Sequence, residues 1–488
     1  MRKVPEIQIL ERLQRENPWW KEGGDVSPDI QKMRPRPYLK EFYRLVTTTD
    51  VRRAVVLMGP RRVGKTVLLH HAIAKLLGSG EFKPKHICYA SVDNPLFNGL
   101  NLEEFLQFYS EASGVAREAA GIFVFFDEIQ YLRDWEVHLK SLVDSYKNVT
   151  VTVSGSAAAA LRLKSRESGA GRFTDFLLPP LTFHEYLLLL NLEDMVIAPE
   201  DGRREAYYRA RDIAAFNDQF LRYLNYGGYP EAVFSSSIRE DPGRFIKSDI
   251  IDKVLLRDLP SLYGIQDIQE LNSLFTTLAY NTAGEVSLEA LSKGSGVAKN
   301  TIKRYIDYLE AAFLVRVVHR VDRNAKRFRR ANFFKIYLTN PSMRAALFAP
   351  VFNDDAVIGS LVETALFSHW FHSPTQLYYA RWPKGEVDIV NLEQGEQRPL
   401  WAIEAKWSDR IATRHEELRG LISFCLKHNL NSPLITTKTI RAAGAIQGIP
   451  VRFMPASEYC YTLGKNLVDS AGSRPLINVP LEEPEDSE

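Results

Sequence analysis

The chain has 488 residues, 45% of them hydrophobic and 25% charged, with a formal net charge of +2 and three cysteines. Those values exclude a disordered or fibrous protein, and at roughly 100–200 residues per domain the length asks for about three domains with more than one sizeable core. Cys88, Cys425 and Cys460 stand far apart with no CxxC spacing, which excludes a disulfide framework or a cysteine zinc site and fits a reducing cytoplasm.

No uncharged apolar stretch approaches the roughly 20 residues that span a bilayer, since Leu177 to Leu192 is interrupted by two prolines, His184 and Glu185, so no membrane partner is expected. Met1 to Glu11 carries charges and lacks the apolar core of an export signal. Charge is unevenly spread. His319 to Arg330 reads HRVDRNAKRFRR, six Arg/Lys against one Asp, whereas Leu481 onward reads LEEPEDSE.

In chain order, residues 1–45 form a polar lead-in with an extended Pro/Gly/Ser-containing stretch, and a helix is expected through Tyr38 to Val46. Arg53 to Met58 is a short apolar run and Lys65 to Leu77 has helical periodicity, so strand, loop and helix follow one another. Gly121 to Phe126 and Val149 to Val153 read as buried parallel strands because they do not alternate with polar residues. These runs place a nucleotide-type α/β core over 46–182. A mostly helical region over 183–282, broken at Asn225 to Pro230 (NYGGYP), reads as a helical lid and connector. A small helical module over 283–345 follows, then a strand-and-helix domain over 346–465 with its boundary near Ala349 to Asp355, and an acidic tail over 466–488.

Gly59, Pro60, Arg61, Arg62, Val63, Gly64, Lys65 and Thr66 read GPRRVGKT, which satisfies G-x-x-x-x-G-K-[ST] between a strand and a helix; Val67 continues that helix. The two glycines let backbone N–H groups curl around phosphates at a helix N-terminus, Lys65 reaches the β/γ-phosphates, and Thr66 is placed to ligate Mg²⁺. Further on, FVFFDEIQ resembles a Walker B strand. There Asp127 would hold the Mg²⁺ shell and Glu128 would polarise the attacking water, which implies an ATP-hydrolysing site.

With VSGSA, AGRF, PLTFHEYL and GGYPEAV, these motifs resemble the archaeal and bacterial AAA-type ATPases whose C-terminal half is catalogued as a domain of unknown function. The resemblance covers most of residues 40–440. It implies that Ser154 is a polar sensor near the γ-phosphate. It further implies an α/β fold: a P-loop AAA-type ATPase with a parallel sheet and helical lid, a winged-helix connector, and a C-terminal domain similar to the PD-(D/E)xK nucleases. Arg172 would act as a finger on the nucleotide of a neighbouring copy, which implies a homo-oligomer; otherwise it is a solvated surface charge.

Leu288 to Leu291 opens an amphipathic helix, Gly294-Ser295-Gly296 turns the chain, and Val297 to Phe313 gives a second helix whose apolar face is Ile302, Tyr305, Ile306 and Leu309. Lys299, Asn300, Lys303 and Arg304 lie opposite. In a winged helix that second helix enters the major groove of DNA and the basic stretch Arg320 to Arg330 flanks the phosphates; the alternative is a structural connector with a solvated basic face.

Glu386 to Asn391 and Pro399 to Lys406 flank the polar turn EQGEQ and read as a β-hairpin centred near Gly395 and Glu396. Asp388 and Glu404 then fall opposite each other with Lys406 on the face of Glu404, while Val387, Ile389, Ile403 and Ala405 face the core. Opposed carboxylates repel unless a cation or Lys406 offsets them. With Glu363 on the preceding helix, the D-x₁₅-E-x-K pattern resembles the PD-(D/E)xK core. The resemblance implies Mg²⁺ on Asp388, Glu404 and Glu363, with Lys406 assisting the water nucleophile or the phosphorane charge.

His70, His71, His369 and His372 lack carboxylate partners at a recognisable spacing and read as structural, as do Trp382, Trp401 and Trp407. The expectation is a cytoplasmic, Mg²⁺-dependent ATPase acting on nucleic acid, DNA above all, with a metal-dependent nuclease domain and defence against foreign DNA as one setting. Its competitors are an ATP-dependent regulatory or binding switch with a catalytically inactive nuclease-like fold, and a pure assembly ATPase.

Overall fold

The computed structural model describes residues 5–155, 171–199, 207–327 and 332–470, apart from positions 49, 51, 98, 394, 396 and 397. Residues 328–330 of the basic stretch, Glu396 of the turn and the acidic tail from 471 onward lie outside the described residues. The chain divides into two compact units, Met1–Pro179 and Pro180–Glu488.

The first unit holds five strands, β1 (Ala54–Met58), β2 (Ile87–Ser91), β3 (Ile122–Asp127), β4 (Val149–Gly155) and β5 (Phe173–Leu177), in the order β2-β3-β4-β1-β5. All neighbours are parallel. Every residue of β1 and β3 is buried, as expected for strands covered on both faces, and this is why the sequence shows continuous apolar runs there. Parallel strands bring their C-terminal ends to one edge, so the loop after β1, Asp127 ending β3 and Ser154 near the end of β4 converge.

The N-terminal lead-in is ordered as a sheet-edge cap rather than an extended stretch. Its helix Glu6–Glu16 buries Ile9 and Leu13, and the next residue, Asn17, is fully buried. The Asn17 amide accepts from the Tyr89 N–H at 2.6 Å and donates to the Tyr89 carbonyl at 2.8 Å, as a neighbouring strand would. Trp19 and Trp20 both donate their indole N–H to the Ile87 carbonyl at 2.8 Å. These bonds satisfy the open edge of β2, which would otherwise present unpaired backbone groups.

The second unit is built on a mixed sheet of nine strands: β8 (Glu285–Ser287), β9 (Val315–Val321), β10 (Phe333–Leu338), β11 (Leu377–Trp382), β12 (Gly385–Leu392), β13 (Pro399–Glu404), β14 (Leu434–Thr437), β15 (Ala442–Ile446) and β16 (Ile449–Pro455). A separate two-stranded ladder joins β6 (Val196–Ile197) to β7 (Arg209–Ala210). The large sheet runs in the order β15-β16-β14-β13-β12-β11-β9-β10-β8. It crosses the expected boundary near 345/346 without a break, because β9 pairs parallel with β11 at Tyr378↔His319. Residues 183–282, expected as an ATPase lid, lie in this unit; Phe183, Phe216, Phe220 and Tyr223 share one core with Tyr337, Ile389 and Ile403. The other face packs Val387, Val390 and Ala402 against Leu421, Phe424 and Cys425 of the helix Arg419–His428.

The hairpin expectation is corrected in one respect. Val387 does not share a face with Ile389, Ile403 and Ala405: it belongs with Val390 and Ala402 in the opposite core. The cause is a register shift in which Tyr378↔Val390 is followed by Ala380↔Val387, an extra residue on β12 that reverses the side-chain alternation around Asp388.

His369, fully buried in the helix Ile358–Trp370, joins two helices of this unit. One ring nitrogen, Nδ1, lies 2.7 Å from the Ala365 carbonyl, and Nε2 accepts the Phe183 N–H at 2.9 Å, at the start of the helix Phe183–Leu189. This pattern requires the neutral ring with its proton on Nδ1. Burial pushes its pKa down to about 4, and burial, then Lys465, does the same to His184. A folded pKa below the unfolded value means that the unfolded chain binds more protons, so this stability is complete above about pH 6.5 and is lost as pH falls towards 4. Going from pH 7 to pH 5 should cost the second unit about 2 kcal/mol for His369 alone. Thermal melts across that range check this: His369→Gln should be less stable at pH 7 yet lose less on acidification than the parent.

Candidate functional site

The first site grows from the loop after β1. A Cβ at Gly59 would lie 2.2 Å from the Leu178 carbonyl oxygen, so only glycine lets the chain leave β1 there. Gly64 then takes φ 93°, a left-handed conformation, as the cap of the helix Lys65–Gly78. Lys65 is buried, and its ammonium donates to the carbonyls of Gly59 at 3.1 Å and Pro60 at 2.7 Å. Arg61 donates to the Tyr131 hydroxyl at 3.2 Å, and Arg62 has a φ of 64°.

Thr66 donates its hydroxyl to Asp127 Oδ2 at 2.6 Å. Tyr89 donates to the same oxygen at 3.0 Å, and the Ser154 hydroxyl donates to Asp127 Oδ1. Four separate elements therefore meet on one buried carboxylate. The Glu128 N–H lies 3.1 Å from Asp127 Oδ1 and 3.3 Å from Ser154 Oγ; Glu128 has φ 56°, and the Gln130 amide donates to its carboxylate. Thr66 and Asp127 pair a hydroxyl and a carboxylate beside the loop, the donor set that Mg²⁺ takes beside a nucleotide, so these residues fit that ion.

Two contributors carry no recognisable signal in the sequence. Tyr89 points to Asp127 because β2 pairs with β3 in the register Ser91↔Asp127. Arg36, from the N-terminal lead-in, is buried and donates to the Val63 carbonyl of the loop at 3.0 Å and to the Pro179 carbonyl at 2.8 Å. Arg172 lies elsewhere. It precedes β5 at the N-terminal edge of the sheet, about 15 Å along the strands from the phosphate loop, and its Nε contacts Asp144 Oδ1 at 3.1 Å with both side chains nearly half exposed.

In the second unit, the β12–β13 ladder is paired at Ile389↔Ile403, and Asp388 and Glu404 flank that pair. Lys406 Nζ contacts Asp388 Oδ2 at 3.1 Å and Glu404 Oε1 at 2.8 Å, and the Ala405 N–H donates to Asp388 Oδ2 at 3.0 Å. Burial, then Asp388, pushes the Glu404 carboxyl up to about 8, and its Oε2 has no hydrogen-bond partner among the described residues. Burial also acts on Asp388, but Lys406 and Lys335 outweigh it and hold that carboxyl below its ordinary value.

Lys335 belongs to none of the motifs read from the sequence. It lies on β10, 5% exposed, with its ammonium 2.9 Å from Glu363 Oε1, 2.9 Å from Glu386 Oε1 and 3.6 Å from Asp388 Oδ1. Tyr337, two residues on, donates to Glu363 Oε1 at 2.6 Å. A lone lysine inside the apolar run FFKIYL was the available signal. Glu363, Asp388, Glu404 and Lys406 are thus neighbours, yet among the described residues no group of three or more His, Cys, Asp or Glu is placed to hold a metal ion. The arrangement does not fit a divalent ion as it stands.

Residues 51–187 match the family profile described as an AAA domain, and residues 217–354 match one described as a domain of unknown function. An uncharacterised protein of Methanocaldococcus jannaschii is 26% identical over 343 residues, 67% of this chain and 69% of that one. An uncharacterised protein of Haemophilus influenzae is 25% identical, over 64% of this chain and 72% of its own length. Among solved structures, the Walker-type ATPase of Pyrococcus abyssi is 14% identical, covering 67% of this chain and 99% of that one, with a TM-score of 0.36. The profile match and the five-stranded parallel sheet assign the first unit the α/β P-loop fold of AAA-type ATPases.

Arg36 should hold the loop in shape for nucleotide. Losing two hydrogen bonds from a buried guanidinium costs about 2–3 kcal/mol, so Arg36→Ala should lower the melting temperature of the first unit and weaken ATP binding about tenfold. Melting curves and calorimetry test both. An unchanged ATP affinity would make Arg36 a purely structural tie.

Proposed function

We propose that the chain binds and hydrolyses ATP with Mg²⁺ in its first unit and acts on nucleic acid, DNA above all, through its second. The observation that carries the reading is the 2.6 Å bond between Thr66 and Asp127 beside the phosphate loop, with Ser154 on the other carboxylate oxygen. In this reading the N–H groups at the start of the helix Lys65–Gly78 and the Lys65 ammonium hold phosphate oxygens. Thr66 and Asp127 hold Mg²⁺, which supplies positive charge against the phosphoryl group in transfer. Glu128 orients the attacking water and accepts its proton. Ser154 keeps Asp127 and the Glu128 backbone in register. Arg172 reaches the phosphates only of another copy, so its finger role belongs to a homo-oligomer.

For the second unit we read a winged-helix-like segment over 283–345 and a nuclease-like segment over 346–465. The support for the former is the pair of helices Leu288–Ser295 and Lys299–Ala311, turned at Gly296 and followed by the antiparallel strands β9 and β10. Lys299, Asn300, Lys303 and Arg304 are exposed, opposite buried Ile302, Tyr305, Ile306 and Leu309. The basic stretch contributes less than its charge count suggests. Arg320 donates to the Arg381 carbonyl at 2.9 Å, Arg323 to the Ser423 hydroxyl at 2.8 Å, and Arg327 lies over the Tyr378 ring.

One observation favours the second reading, a nucleotide-dependent binding switch whose nuclease-like fold does not cut. Lys335 and Lys406 already neutralise the carboxylates that a metal would need. A cleavage assay with Mg²⁺ or Mn²⁺, with and without ATP, separates the two readings.

Lys65→Ala should abolish ATP binding by calorimetry, whereas Glu128→Gln should bind ATP as the parent does and lose at least about 100-fold in turnover. A parent protein that binds no ATP overturns the proposal. Replacing Lys299, Lys303 and Arg304 by alanine should weaken DNA binding and reduce the slope of log affinity against log salt by about 0.7–0.9 for each phosphate no longer neutralised. An unchanged slope would leave those helices a connector.

A further inference from the structure

We infer that Lys335 and a divalent cation compete for the same carboxylates, so that the acidic cluster of the second unit carries its own cation and excludes Mg²⁺ or Mn²⁺ while β10 holds Lys335 in place. The inference deepens the binding-switch reading and rests on the placement of these carboxylates, not on any nucleic-acid contact. An ammonium has three donors, and those of Lys335 face three carboxylates, from the helix Ile358–Trp370 (Glu363) and from β12 (Glu386 and Asp388). Asp388 is shared: Oδ1 faces Lys335, while Oδ2 takes Lys406 and the Ala405 N–H. A divalent ion bridging Glu363 and Asp388 would need oxygens at about 2.0–2.6 Å, the space the ammonium fills, and would sit a few ångströms from its positive charge.

The cluster nonetheless retains an unused ligand atom. Glu404 is only 8% exposed, and its Oε2 has no partner among the described residues. Removing the Lys335 charge should leave Glu363 without its ion-pair partner, while Glu386 keeps Arg381 and Asp388 keeps Lys406, so that Asp388 Oδ1, Glu363 and Glu404 Oε2 become available together. Lys335 is held in that place by β10, which pairs antiparallel with both β8 and β9.

The experiment is a Mn²⁺ titration of the nucleotide-free chain carrying Asp127→Asn, so that the first unit does not contribute, followed by loss of the free-ion paramagnetic resonance signal. The parent should show no site that Asp388→Asn removes. Lys335→Met should gain one site at least tenfold tighter than any in the parent, lost again when Asp388→Asn is added, and Mn²⁺ should raise the melting temperature of Lys335→Met alone. A parent site that Asp388→Asn abolishes overturns the inference, as does a folded Lys335→Met that gains no site. Should Lys335→Met fail to fold, the parent and Asp388→Asn titrations decide by themselves. Cleavage assays report on the nuclease reading separately, since metal exclusion is measured without any nucleic acid.

Discussion

The Asp127 carboxylate is the point on which the first unit depends. It ends β3, is 1% exposed, and takes hydroxyl donors from a helix, from β2 and from β4. A buried carboxylate must have its lone pairs satisfied, and the strand order β2-β3-β4-β1 brings the three donors within reach. The sheet, the loop after β1 and the edge cap formed by Asn17 and the two tryptophans all preserve that geometry.

The second unit solves a related problem differently. Asp388 sits where an extra residue in β12 reverses the side-chain alternation, so neighbouring positions serve two cores and the acidic cluster at once. A bulge is a common way to aim a side chain at a site beside a regular ladder. Its carboxylates come from β12, β13 and the helix Ile358–Trp370, and its cations from β10 and from the residue two beyond β13. No contiguous motif encodes that assembly.

What was legible in the sequence follows the range of the interactions. GPRRVGKT and FFDEIQ are local patterns whose geometry is set within a few residues, and their strand-loop-helix context was readable. The hairpin and the convergence of Asp388 and Glu404 on Lys406 followed from turn position and a period of two, but the side-chain alternation did not, because a bulge leaves no mark in the sequence. Residues 183–282 looked like a lid because helical periodicity reports an apolar face and not its partner. Trp382, Trp401 and Trp407, expected as packing residues, lie against Phe424, Trp370 and Phe220. Arg36 and Asn17 act through backbone carbonyls and amides that the fold alone brings near, so no residue-type pattern announces them.

Lys335 shows how a buried charge alters a functional reading that rests on a motif. A D-x₁₅-E-x-K pattern specifies ligands and one lysine, but the electrostatics of the cluster are decided by every charge within a few ångströms. With Lys406 alone, Glu363, Asp388 and Glu404 would be left with a large uncompensated negative charge, the condition that draws in a divalent ion. A second lysine from another strand supplies that charge from within the protein and takes up Glu363 and Asp388 together. Burial, then the neighbouring Asp388, raises the Glu404 carboxyl above its ordinary value. The carboxylates of the motif are therefore held by two lysines of the protein itself, one of them from a strand that the motif does not include.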